Sequence, residues 1–237
     1  MIARLLSCTL LALSGPLLSG CAPAQFTTIT IFDTPTAFVR LETYRTAGPE
    51  RGYAHPVSLT PEQMAAVLSG IIVEEPWMKL PIYDDTSQPR RHPAFTEKEV
   101  MFFAPLLAAA LGKTTPEEVV TFYQSRYLSG TSREVTSGGL FVQGDGLHII
   151  LANYRSATHY GADIGVADTT DDRLTPMRSL APQRGRLDFE PKLVKREPNV
   201  SAFGKLFQWD RRELVILLEN LPRRSTQPHE ASKPVDR

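Results

Sequence analysis

Leu140-Phe141-Val142-Gln143-Gly144-Asp145-Gly146-Leu147-His148-Ile149-Ile150-Leu151 is the stretch that decides the fold. Two runs rich in branched and aromatic residues flank a polar centre with two glycines, the pattern of an antiparallel hairpin. Asp145-Gly146 suits a two-residue type I′ turn. That register pairs Gln143 with His148, Val142 with Ile149 and Leu140 with Leu151. Leu140, Val142, Leu147, Ile149 and Leu151 then share one face, assigned to the core, because strand side chains alternate with period two. His148 falls on the other face with Phe141 and Ile150, where a lone strand histidine reads as structural rather than as a ligand.

The N-terminal flank carries more strand signal. Residues 26–32, Phe-Thr-Thr-Ile-Thr-Ile-Phe, are β-branched and aromatic, and Asp33-Thr34-Pro35 breaks them. Residues 36–44 form a second expected strand, with Phe38, Arg40 and Glu42 on one side. Residues 47–56 read as loop.

Three stretches then share a capping-box pattern: Thr60-Pro61-Glu62-Gln63, Thr96-Glu97-Lys98-Glu99 and Thr115-Pro116-Glu117-Glu118. In each, the threonine hydroxyl can accept the amide of the third helical residue while the glutamate or glutamine reaches back. Three helices are therefore expected. The first carries Met64, Val67, Leu68 and Ile71 and stops near Gly70. The second carries Val100, Phe103, Leu107 and Leu111, is loosened by Pro105 and stops at Gly112. The third carries Val119, Phe122 and Tyr123, ends before Gly130, and packs on the second across a short connection. A short strand is expected at 71–75, followed by a loop with Trp77, Met78 and Tyr83 and a polar run to Pro93. Trp77 reads as a cover of the core rather than a partner-binding edge.

Beyond the hairpin, residues 154–167 continue the sheet. Asp168 to Asp172 form an acidic loop, read as a solvated turn; an EF-hand spacing would need glycine where Arg173 stands. Residues 176–198 are basic and proline-rich, with one short strand near Leu187-Asp188-Phe189. Residues 203–209 and 213–219 read as a final hairpin, the latter chosen as strand over helix for Val215 and Ile216. The sum is an α+β fold: a largely antiparallel sheet with three helices inserted between N-terminal strands and a C-terminal β region. Residues 26–221 read as a single domain and 222–237 as a disordered polar tail.

The 237 residues carry 26 basic and 26 acidic side chains, so the chain has no electrostatic footprint for nucleic acid. The two cysteines, Cys8 and Cys21, both lie in the first 21 positions, so the domain must stand on its core without a disulfide. Arg4 precedes an apolar run containing Leu5, Leu6, Leu10, Leu11, Leu13, Leu17 and Leu18, the layout of an export signal. Gly15-Pro16 interrupts the run, which is too short to span a bilayer. Leu18-Ser19-Gly20-Cys21 closes it.

This stretch resembles the lipobox of bacterial lipoproteins. The resemblance implies a signal peptide at 1–20, a thioether-linked diacylglycerol on Cys21 and further acylation of the new amine. A multiply acylated residue holds firmly, at about 0.8 kcal/mol per buried CH₂. Ala22 stands where lipoproteins retained in the inner membrane often carry Asp, so the resemblance implies the outer membrane, facing the periplasm. The tether, residues 21–25, is short; its four residues after Cys21 reach under about 20 Å. Ala22-Pro23-Ala24 also fits an ordinary secretory cleavage site, which would release a soluble protein beginning at Gln25.

Motifs of catalysis are missing. The chain has no G-x-S-x-G elbow, no S-x-x-K pair, no H-E-x-x-H and no phosphate-cradling Gly-Lys-Ser/Thr. Gly138-Gly139 read as turn glycines. The histidines at 55, 92, 148, 159 and 229 are dispersed, and His159 with Asp163 and Asp168 matches no ligand spacing. No catalytic residue, cofactor or metal is expected. The expectation is a membrane-anchored envelope lipoprotein whose non-catalytic domain binds an envelope protein or a cell-wall partner. The alternatives are a lipid-tethered hydrolase or transferase and a small-ligand binder.

Overall fold

The computed structural model describes residues 26–43, 53–75, 89–129, 132–159, 172–181, 185–192, 195–196 and 212–221. The fold is α+β. Strands β1 (Phe26–Thr34), β2 (Ala37–Thr43), β5 (Glu118–Ser129), β6 (Ser132–Gln143), β7 (Gly146–His159), β10 (Glu213–Leu217) and β9 (Lys195–Arg196) form one antiparallel sheet in that order. A second antiparallel sheet orders β4 (Arg91–Pro93), β3 (Ile71–Glu74) and β8 (Arg186–Phe189). The β4 strand falls inside the run expected to be loop.

Two helices pack between these sheets and against each other. Helix α1 (Pro61–Gly70) and helix α2 (Glu97–Leu111) both begin with complete capping boxes on Thr60 and Thr96. Each box satisfies backbone donors that the first helical turn leaves open, a contribution of about 1 kcal/mol. Helix α2 continues through Pro105 and ends with Gly112 as its cap.

The third expected helix is strand β5. Its local signal is present: the Thr115 amide donates to Glu118 Oε2 at 2.8 Å. Six consecutive residues, Glu118 to Tyr123, are then buried. A helix there would bury one stripe; a central strand buries both faces, and Val119, Val120, Phe122 and Tyr123 suit it. Helix α2 therefore packs on α1 and on the strands, not on a third helix.

The decisive hairpin forms with a register shifted by two. Gln143 pairs with Gly146, Val142 with Leu147 and Leu140 with Ile149. Gly144, not Gly146, takes positive φ (61°), and Asp145 does not, which fits a type II′ turn with glycine first rather than type I′. A shift of two leaves every side chain on its face. Leu140, Val142, Leu147, Ile149 and Leu151 all enter the core with Val39, Leu41, Val120, Phe122, Leu214 and Ile216. The same cluster takes in Phe103 and Leu107 of α2 and Val73, Leu187 and Phe189 of the small sheet.

Gly138 and Gly139 are not turn residues. Both lie inside β6, where the pairing with β7 is irregular between Val135 and Gly138. Residues 213–217 are strand, as expected, and 218–220 form a 3-10 turn. The expectations for 160–167, 203–209 and 222–237, and for Trp77, Met78 and Tyr83, fall outside the described residues.

Candidate functional site

Cys21 lies outside the described residues. His159 closes β7, while its side chain, Asp163 and Asp168 also lie outside them. Asp172 is described, and it is not a solvated turn residue: it is buried.

Asp172 belongs to a segment, 172–181, that covers the large sheet on the side away from the helices. Arg133 of β6 meets Asp172 at 2.9 Å. Tyr123 of β5 donates its hydroxyl to Asp172 Oδ2 at 3.1 Å and accepts from Arg133 Nη1 at 2.9 Å. Burial pushes the Tyr123 hydroxyl up to about 12, so it remains a donor. The Tyr123 ring stacks on Phe38, with centroids 5.3 Å apart, and the Arg40 guanidinium lies 3.9 Å from the centre of the Phe38 ring. Val135 and Leu180 complete this small apolar cluster.

Further along the segment, Arg173 donates to Asp33 Oδ1 (2.6 Å) and to the carbonyls of Thr34 and Pro35, while Arg40 donates to the Arg173 carbonyl. Ser137 donates to the Pro176 carbonyl at 2.7 Å, and Asn153 bridges to the Arg178 carbonyl and the Leu180 amide. Glu42 is almost fully buried beside Arg40; burial drives its carboxyl upward against the pull of that guanidinium, and its Oε2 has no hydrogen-bond partner.

A row of rings crosses the same side of the sheet nearer the hairpin turn. His55 stacks on Tyr53, Tyr53 meets Phe141 with centroids 4.7 Å apart, and Phe141 stacks on His148. His148 Nδ1 lies 2.6 Å from Glu213 Oε1, across the β7–β10 ladder. A histidine held by a carboxylate is a unit used in catalysis and metal binding. Here the His148 ring stacks on Phe141, which is covered by a ring on each side.

His55 is a structural histidine with a fixed tautomer. The Val142 amide donates to its Nε2 at 2.8 Å, so the proton sits on Nδ1, which faces the Thr115 carbonyl at 3.3 Å. Burial holds the His55 pKa below its ordinary value. The unfolded chain therefore takes up a proton first as pH falls. Stability is expected to drop as pH goes from 7.5 down through the unfolded histidine range, about 6.5, toward the lower folded value. Thermal unfolding at pH 7.5 and 5.5 measures this; a His55→Gln variant, which keeps an acceptor, is expected to show a flatter profile.

The small sheet carries an ion cluster centred on the buried Asp188. Arg91 pairs with Asp188 (2.8 Å) and Glu190 (2.7 Å), and Lys195 with Asp188 (3.1 Å). Burial alone would raise the Asp188 carboxyl, but hydrogen bonds from Arg91, the Phe189 amide and Lys195 bring it down to about 2. His92 sits between the Pro89 carbonyl (2.7 Å) and the Tyr154 hydroxyl (3.0 Å).

Among the described residues, no three His, Cys, Asp or Glu side chains come together as a metal site, and no helix is long and apolar enough to cross a membrane. Among the described residues, the polar clusters join strands to one another or to the covering segment. The large apolar side chains left exposed among the described residues are Phe26 and Ile29 on β1, Met101 on α2, Tyr127 and Leu128 toward the far end of β5, and Leu174. Sequence reasoning missed the ion network, the His148–Glu213 pair and the Tyr123 triad because their partners are remote along the chain. Arg133 and Asp172 are 39 positions apart, His148 and Glu213 65, and Arg91 and Asp188 97. Comparison with protein-family models, with curated proteins and with solved structures finds no match.

Proposed function

We propose that this chain is an envelope lipoprotein, anchored through acyl chains on Cys21, whose domain binds a protein or cell-wall partner without catalysing a reaction. The observation that carries the reading is Leu18-Ser19-Gly20-Cys21 directly after an apolar run. A thiol is nucleophilic enough to take a diacylglycerol, and small residues before it let a peptidase close on the backbone. Two features support the non-catalytic part: the described ionisable clusters are engaged in joining strands and segments, and exposed large apolar side chains mark β1, β5 and Leu174. The anchor places the domain at the outer membrane, facing the periplasm.

Cys21→Ala is expected to move the protein from the membrane fraction to the soluble fraction of cells, with the folded domain unchanged by circular dichroism. Unchanged membrane retention would refute the anchor. The Ala22-Pro23-Ala24 motif supports a second reading, a soluble product. Mass spectrometry of the native N-terminus separates the two, as an acylated Cys21 or a bare Gln25.

A further inference from the structure

We infer that the beginning of β1, from Phe26 to Ile29, rests against the headgroup layer of a lipid bilayer, so that the large sheet stands on the membrane by that end. The inference rests on the anchor proposed for Cys21. Phe26 is 64% exposed and Ile29 43% exposed, although both are apolar and lie on the edge strand of the seven-stranded sheet as described. Exposed edges ordinarily carry charge or proline as protection against pairing. Here no charged residue occurs from Cys21 to Phe32; the first is Asp33. The ring and the branched side chain themselves carry no charge into the interfacial layer, where aromatic residues are favoured.

The chain length fixes which surface is close enough. The four residues between Cys21 and Phe26 reach under about 20 Å even when fully extended. The start of β1 is itself held to the domain. Thr28 donates its hydroxyl to Glu118 Oε1 and to the Leu41 carbonyl (3.3 Å), and Glu118 accepts from the Thr115 amide. Burial by itself would raise the Glu118 carboxyl; hydrogen bonds from Thr28 and Thr115 outweigh it and keep it below its ordinary value. Phe26 pairs with Thr43 and Thr43 with Glu118, which places these three at one end of the sheet. Tyr127 is further along β5 by about nine residues, or roughly 30 Å. That end would face away from the lipid and toward a partner.

A second copy is the competing occupant of the β1 edge. Antiparallel pairing of two β1 strands would lift one Phe26 by the length of the strand, roughly 30 Å at about 3.3 Å per residue. That exceeds the tether's reach if both copies are anchored in one bilayer.

The test uses the processed chain from Cys21 onward, purified with Cys21 acylated as verified by mass spectrometry, so that an introduced cysteine is the one free thiol. Ile29→Cys, Phe26→Cys and Tyr127→Cys are made separately, labelled with a nitroxide and reconstituted in phosphatidylcholine–phosphatidylglycerol vesicles. The labels at 26 and 29 are expected to collide more with oxygen than with a water-soluble nickel chelate, and the label at 127 the reverse. Labels at 26 and 29 as open to the nickel chelate as that at 127 would overturn the inference while leaving the anchor standing. Spin–spin broadening between copies at position 29 would overturn it in favour of a second chain. A native N-terminus without acyl groups would remove the anchor and the inference together.

Discussion

Replacing Arg133 by methionine, with Asp172 left in place, is expected to cost the fold about 3–5 kcal/mol. The pair is buried, at 17% and 5% side-chain exposure, and the contact is 2.9 Å. Removal of the guanidinium leaves a carboxylate in a dry site, with the Tyr123 hydroxyl still donating to it. The cost lies in the orphaned charge more than in the lost attraction, since two charges taken from water recover little beyond their desolvation. The double variant Arg133→Met with Asp172→Leu is therefore expected to regain most of the loss. Urea unfolding followed by circular dichroism measures all three proteins. A double variant as unstable as the single one would show that the pair holds the 172–181 segment by geometry, not by balancing charge.

Gly138→Ala is expected to be more damaging still, above about 4 kcal/mol, with little folded protein recovered. A Cβ at Gly138 would stand 1.9 Å from the Ile150 carbonyl oxygen and 3.2 Å from Leu151 Cα. Both are backbone atoms of the central strand β7, so no side chain can turn away to make room. Relief would require separating β6 from β7 at the point where their pairing is already irregular. Gly112→Ala is the matched control. Its φ is −71° and its nearest atoms are 3.7 Å away, so alanine fits, and an effect within about 1 kcal/mol is expected. Yield of soluble protein and melting temperature separate the two variants; a near-native Gly138→Ala would mean the two strands can part locally without unfolding.

Much of the fold was legible because its signals are short-range. The capping boxes at Thr60 and Thr96 each lie within four residues, and both open real helices. The box at Thr115 forms half of its bonds and then leads into a strand. Its local chemistry is the same; what differs is that residues 118–123 lie between two neighbours of a sheet covered on both sides. The functional side is more lopsided. The lipobox-like stretch Leu18-Ser19-Gly20-Cys21, on which the proposed anchor rests, is contiguous, so it can be read without a fold. Nothing in the spacing of His148 and Glu213, or of Tyr123, Arg133 and Asp172, announces that they meet.

By itself the sequence determined the parity of the strands and the starts of two helices, since each depends on neighbours a few positions apart. Parity survives even where the hairpin register moved by two residues, because a strand repeats every second side chain. Tertiary structure alone decided that residues 118–129 extend, that Gly138 must lack a side chain and that Asp172 is buried under an arginine. Those outcomes depend on which distant backbone lies within a few ångströms, and burial and close approach are set only when the sheet has closed.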